Sequence, residues 1–148
     1  MLTISPQGQL LSCRRKLAPT GSERLVWGQG SRGDVRVAHT PLGTVAAAIC
    51  WENYVPLFRQ ALYEQGPQIW CAPTADARPE WQSTMVHVAL ESRAFVIGCN
   101  QFNQRRDFPE DYPALRGESN IPRIPDVETI LTALPSGMSS LQTYNPPT

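Results

Sequence analysis

The sequence predicts an α/β fold followed by an irregular C-terminal tail. Three observations carry that reading. Residues 44–99 alternate apolar runs with amphipathic stretches in the order strand, helix, strand, helix, strand, the pattern of a parallel or mixed sheet covered by helices. The chain has 148 residues, 41% of them apolar, which is enough to bury a real core. Beyond Phe102 the periodicity stops, and that stretch holds seven of the 14 prolines.

Each element has a local reason. Residues 2–11 (LTISPQGQLL) read as two short strands around a Pro-Gln-Gly turn. Residues 12–20 leave that hairpin and end at Pro19-Thr20. Residues 21–43 read mostly as loop, because Gly21, Gly28, Gly30, Gly33 and Gly43 interrupt any period. The run TVAAAIC at 44–50 suits a strand buried on both faces and ending at Cys50. A helix is expected from Asn53 or Tyr54 to Tyr63, stopped by Gly66-Pro67. Residues 68–73 form the next buried strand. Residues 79–93 form a second helix, with Pro79 in its first turn and Trp81, Met85, Val88 and Ala89 on one stripe. Residues 94–99 are a third strand. In the tail, 126–134 (DVETILTAL) is the one stretch with helical character.

Composition excludes several classes. Thirteen basic residues balance 13 acidic ones, so no net charge draws the chain to nucleic acid or an anionic membrane. No apolar run approaches the ~18 residues of a membrane span, and no basic-then-apolar export signal opens the sequence. Cys13, Cys50, Cys71 and Cys99 form no CxxC pair, and His39 and His87 have no nearby Cys, so no metal site is expected. Without an export signal the thiols are expected to stay reduced, in the cytoplasm.

Cys50 leads the candidates for chemistry. It stands between a buried strand and a helix, where a turn presents a side chain at the C-terminal edge of a sheet. The following helix N-terminus favours a thiolate there. The plain alternative is a small buried core residue. Lys16 is the single lysine, and the other 12 basic residues are arginine. Alone it reads as part of a solvated basic cluster with Arg14 and Arg15. Beside a Cys nucleophile its ammonium stabilises charge that develops during attack on a carbonyl or nitrile carbon. Glu23, Glu52 and Glu91 are candidate acid–base residues. Their alternatives are an ion pair of Glu23 with Arg24, a support for the nucleophile turn at Glu52, and a helix-end contact of Glu91 with Arg93. His87 reads as a packed, hydrogen-bonded residue, with a Cys–His hydrolase left open as a further reading.

These segments together resemble the nitrilase superfamily, in its nitrile-hydrolysing branch. Arg14-Arg15-Lys16-Leu17-Ala18-Pro19-Thr20 with Glu23-Arg24-Leu25-Val26-Trp27-Gly28 resembles the catalytic-lysine segment. Ile49-Cys50-Trp51-Glu52-Asn53 resembles the nucleophile motif, with Cys50 lying 34 positions after Lys16. Cys71-Ala72-Pro73-Thr74-Ala75-Asp76, and His87 to Arg93 with Gly98-Cys99-Asn100-Gln101, resemble the next two blocks. The resemblance covers residues 1–113 and implies a partial α-β-β-α sandwich of the carbon–nitrogen hydrolase type, with 114–148 as a Pro-rich tail.

What the resemblance implies is specific. Cys50 attacks a nitrile carbon to form a thioimidate, Lys16 stabilises the tetrahedral species, and water releases ammonia and a carboxylic acid. Glu23 supports the lysine, while Trp51, Glu52 and Asp76 lie at the substrate. A small-molecule nitrile is the partner, no metal or organic cofactor is implied, and family members assemble into homo-oligomers. The family's general-base glutamate belongs upstream of the lysine, on a segment not found in residues 1–15. Phe108-Pro109-Glu110 has a similar spelling in a different block and is not taken as its replacement. The glycine-aspartate loop is altered at 28–34, and His is often found where Cys13 stands. An alternative expectation is therefore a catalytically silent, truncated relative that acts by assembly with partners.

Overall fold

The computed structural model describes residues 1–76, 78–100 and 132–134. Strands β1 (Leu2–Ile4) and β2 (Leu10–Cys13) form an antiparallel ribbon that pairs Leu2 with Cys13. The expected turn joins them. Gly8 adopts φ 79°, and Ser5 and Gln9 close the loop through Ser5 N–H to Gln9 C=O at 2.8 Å.

Strands β3 (Ala38–Thr40), β4 (Gly43–Ala47), β5 (Ile69–Thr74), β6 (Phe95–Asn100) and β7 (Thr132–Leu134) form one sheet in that order. The central pairs β4–β5 and β5–β6 are parallel, and β3 and β7 run antiparallel at the edges. Helix α1 (Pro56–Tyr63) crosses from β4 to β5, and helix α2 (Glu80–Ser92) crosses from β5 to β6. The strand–helix alternation expected over 44–99 is therefore present.

Three boundaries differ from the sequence reading. The loop expected at 21–43 contains 3-10 turns at Gly21–Leu25 and Arg32–Asp34 and the strand β3, each too short to leave a period. Strand β4 ends at Ala47, three residues before Cys50. Helix α1 begins at Pro56, because proline pushes the preceding Val55 into extended geometry (φ −94°, ψ 103°). In the tail, Thr132–Leu134 is strand where a helix was expected over 126–134. Its backbone is drawn into the sheet by pairing Val96 with Leu134 and Gly98 with Thr132. The rest of that stretch, most of 114–148, and Phe108-Pro109-Glu110 lie outside the described residues.

The core sits between the helices and one face of the sheet. Period-2 alternation sends Trp70, Ala72 and Thr74 of β5 to that face. Trp70 and Ala72, with Ala46 and Val96, meet Phe58 and Leu62 of α1 and Met85 and Val88 of α2. Contrary to the expectation of strands buried on both faces, the opposite face is only half-buried at Ile69 and Cys71, and Phe95 is 48% exposed. Both helices cover the same side. No helix among the described residues is long and apolar enough to cross a membrane.

Candidate active site

The turn that carries Cys50 is built from the sheet outward. Ala48 N–H still bonds Cys71 C=O at 2.9 Å, continuing the β4–β5 ladder past the strand end. Cys50 then opens a 3-10 turn, Cys50–Tyr54, with φ 52°. A left-handed residue with a β-carbon costs roughly 1–2 kcal/mol, so something must hold it. Asn53 does, from complete burial. Its amide donates to Ala48 C=O at 2.9 Å and Cys50 C=O at 2.8 Å, and its oxygen accepts from Trp70 Nε1 at 2.9 Å. Arg59 adds a bond to Asn53 C=O at 2.8 Å. The Cys50 residue is half-buried.

Lys16 lies on a segment without strand or helix and is nonetheless 8% exposed. It is not part of a solvated cluster. Its ammonium donates to Glu23 Oε2 at 2.5 Å and Thr20 Oγ1 at 3.0 Å. Thr20-x-x-Glu23 spells a capping box, and Glu23 Oε2 also accepts Thr20 N–H at 2.6 Å. Burial pushes the Glu23 carboxyl up, but the Lys16 and Thr20 donors and the Lys16 charge outweigh it and hold it below its ordinary value. Arg24, the partner suggested by sequence adjacency, instead donates to Pro19 C=O at 2.9 Å.

The loop at 28–34 braces the same segment. Gly30 N–H bonds Lys16 C=O at 2.8 Å, and a β-carbon at Gly30 would stand 2.9 Å from the carbonyl oxygens of Arg15 and Lys16. Buried Asp34 accepts Arg15 N–H and Ser31 N–H, each at 2.8 Å. Those backbone donors, the Arg15 one first, hold its carboxyl well below the usual carboxylate range. Sequence reasoning placed Asp34 in an altered loop and Asn53 at an expected helix start, and gave neither a part in holding the site. The Ser31-x-x-Asp34 capping pattern was the available signal for the first.

Lys16, Glu23 and Ile49, the residue before Cys50, line one cavity of about 370 Å³. Cys50 itself is not among its lining residues. A second cleft, about 700 Å³, runs between Leu17–Thr20 and the aromatic side chains of Trp51, Tyr54 and Phe58. Trp51 is half-exposed and packs edge-on against Tyr54 at 5.7 Å. The Arg78 guanidinium sits 5.9 Å from the Trp51 ring centroid and bonds Asp76 through Nε at 2.8 Å. Arg78, helped by the Trp51 side chain, holds the Asp76 carboxyl below its ordinary value against burial. Trp51 and Asp76 are thus brought together around Arg78.

Glu52 lines the second cleft, but both of its oxygens are engaged by protein donors. Oε1 accepts Arg14 Nη1 at 3.0 Å and Leu17 N–H at 2.8 Å. Oε2 accepts Arg14 Nη2 at 2.6 Å and Ile49 N–H at 2.7 Å. His87 is exposed on α2, 3.5 Å from Glu91, rather than packed. Glu91 pairs with Arg59 at 2.8 Å and Tyr63 at 2.8 Å, tying α2 to α1, where a contact with Arg93 was expected. No group of three or more His, Cys, Asp or Glu among the described residues is arranged to hold a metal ion.

The sequence matches the carbon-nitrogen hydrolase family over residues 1–130. Nitrilase 3 of Arabidopsis thaliana is 53% identical over 109 residues, covering 74% of this chain and 32% of that protein. A bifunctional nitrilase/nitrile hydratase of Lupinus angustifolius is 50% identical over 109 residues, again covering 74% of this chain and 31% of that protein. The chain therefore spans about a third of the length of these relatives. A carbon-nitrogen hydrolase from Helicobacter pylori has the same fold, with a TM-score of 0.71 at 13% identity over 91% of this chain and 48% of that one. Nit3 of Saccharomyces cerevisiae, a nitrilase-superfamily protein, superposes with a TM-score of 0.60 at 14% identity, over 94% of this chain and 50% of that one.

Proposed function

This chain belongs to the carbon–nitrogen hydrolase family, and we propose that it carries the nucleophile and the lysine of a nitrilase that converts a nitrile to a carboxylic acid and ammonia. One observation carries the reading. The single lysine of the sequence is buried, paired with a carboxylate, and turned to a cavity whose wall includes the residue before Cys50.

The chemistry follows in balanced steps. Cys50 sulfur adds to the nitrile carbon, and the thiol proton goes to the nitrile nitrogen, giving a thioimidate. One water adds, ammonia leaves, and a thioester remains. A second water hydrolyses the thioester, frees the acid and restores the thiol. Lys16 faces the negative charge that develops at each tetrahedral stage, which is the largest kind of contribution such a site makes. Glu23 holds the ammonium in place. Trp51 borders the cleft that would take the organic part of the nitrile, and Asp76 reaches Trp51 through Arg78. Four free thiols fit a reducing, cytoplasmic compartment. Association of copies and the division into a 1–113 domain and a 114–148 tail belong to the same proposal.

The silent reading has one observation of its own. Among the described residues, the carboxylate lining the lysine cavity is Glu23, and it is already committed to Lys16 and Thr20. The test is ammonia release from aromatic and aliphatic nitriles by the chain and by Cys50→Ala and Lys16→Ala. Release by the parent that disappears in both variants supports hydrolysis. Activity that survives both sinks it, and no release from the parent favours the silent relative.

A further inference from the structure

We propose that Glu52 is a positioning residue that fixes the separation of the Lys16 ammonium and the Cys50 sulfur. The proposal rests on the nitrilase reading above. Glu52 is 4% exposed and stands on the turn that carries Cys50. One of its oxygens binds Leu17 N–H, the residue after the lysine. The other binds Ile49 N–H, the residue before the cysteine. One rigid carboxylate therefore grips both segments, which lie 32 positions apart in sequence at Leu17 and Ile49 and share no strand pairing among the described residues.

Arg14 completes the device. It pairs with both Glu52 oxygens and also donates to Ala47 C=O at 2.9 Å, at the end of β4. A buried pair of this kind is weak as a source of stability, since desolvation offsets most of its Coulomb gain. Its geometry is the stronger argument. All four bonds to Glu52 come from donors, two on each oxygen. Glutamine at 52 would turn an NH₂ toward one pair of donors, releasing either the lysine side or the cysteine side. A displacement near 1 Å in a reacting constellation costs about 100-fold in rate.

The same filling of acceptors separates this role from the substrate contact expected at Glu52 by resemblance. A substrate donor would have to displace one of the four donors already on Glu52, from Arg14, Leu17 or Ile49. Glu52 acts through Lys16 and Cys50 and does not itself need to touch the nitrile.

The experiment compares the full chain with Glu52→Gln, with Arg14→Lys, and with Val88→Ala, a buried α2 variant that loses stability without touching either segment. Nitrile turnover and residue-by-residue amide exchange are measured on each. For Glu52→Gln we expect kcat to fall about 100-fold with KM within about threefold. Exchange at Ile49 or Leu17 should rise about tenfold or more. Arg14→Lys keeps one charged donor and should lose less. Val88→Ala should lower the unfolding temperature and leave kcat unchanged. Unaltered protection at both amides, a loss confined to KM, or a kcat within about threefold of the parent overturns the proposal. If Glu52→Gln does not fold, Arg14→Lys decides by the same readouts. If the parent turns over no nitrile, the nitrilase reading fails by itself, and the exchange of Ile49 and Leu17 still decides whether Glu52 joins the two segments.

Discussion

The turn that presents Cys50 and the segment that presents Lys16 face the same task and meet it with different bonds. The Cys50 turn is anchored in the sheet. Strand β4 lies between β3 and β5, and the turn beyond it is fastened by a neutral, fully buried asparagine that reaches Trp70 in the core. The lysine segment has no strand or helix of its own. Three carboxylates hold it, with Asp34 on Arg15 N–H, Glu52 on Leu17 N–H and Glu23 on the ammonium, while Gly30 presses against its carbonyls. The cysteine side depends mainly on packing and neutral hydrogen bonds, with Glu52 on Ile49 N–H and Arg59 on Asn53 C=O as its charged contacts, whereas the lysine side depends on negative charge. The first should answer to changes in the core and the second to changes in charge and pH.

The largest expected effect comes from breaking the neutral side. Asn53→Leu keeps the volume but strands the buried Ala48 carbonyl, the part-buried Cys50 carbonyl and the Trp70 N–H. Each buried group left without a partner costs about 1–3 kcal/mol, so a total of about 3 kcal/mol or more is expected. Urea unfolding measures it. A loss below about 1 kcal/mol would mean that water or a shifted backbone replaces the asparagine, and that the left-handed Cys50 is held by something else.

A smaller effect is expected from Gly30→Ala on the charged side. The new β-carbon would meet backbone oxygens at 2.9 Å, which cannot swing away as a side-chain tip does. Overpacking of this kind costs roughly 1–3 kcal/mol. Because the strained atoms belong to Arg15 and Lys16, turnover should fall more than stability does. Equal unfolding curves for parent and variant would show that the brace yields, and that Asp34 and Glu52 suffice to hold the lysine.

The contrast also explains what could be read from the sequence. The cysteine side was legible because periodicity announces it. TVAAAIC, the stripe of Trp81, Met85 and Val88, and Gly66-Pro67 mark strands, helices and stops directly. Even there, the exact exit from β4 escaped, since nothing in the local sequence reports that Cys50 is left-handed. The lysine side was far less legible. Its order comes from bonds between residues 19 to 38 positions apart, Asp34 to Arg15 and Glu52 to Arg14, which leave no period. Short capping boxes at Thr20–Glu23 and Ser31–Asp34 were the local trace. Glu52 reads as a support for the nucleophile turn and, by resemblance, as a substrate contact; its bond to Ile49 lies on that turn, while its bonds to Arg14 and Leu17 reach the other segment, which no local pattern reports.

The smallest expected effect tests the charge dependence itself. Glu23 has a folded value held below its ordinary 4.5, so the unfolded chain binds the proton more readily than the folded one. Its contribution to stability is therefore complete above pH 4.5 and is lost as pH falls through the folded value. Glu23→Gln removes the charge, keeps the shape and cannot titrate. The parent should unfold at a higher temperature than Glu23→Gln at neutral pH, by a margin that solvent screening keeps small, because the Glu23 side chain is 37% exposed. The margin should stay constant down to about pH 4.5 and close below it, where the parent's own carboxyl becomes neutral. A margin that persists at low pH would place the stabilisation in the bonds to Thr20 rather than in the charge beside Lys16. In that case the lysine side would be held like the cysteine side, by neutral hydrogen bonds.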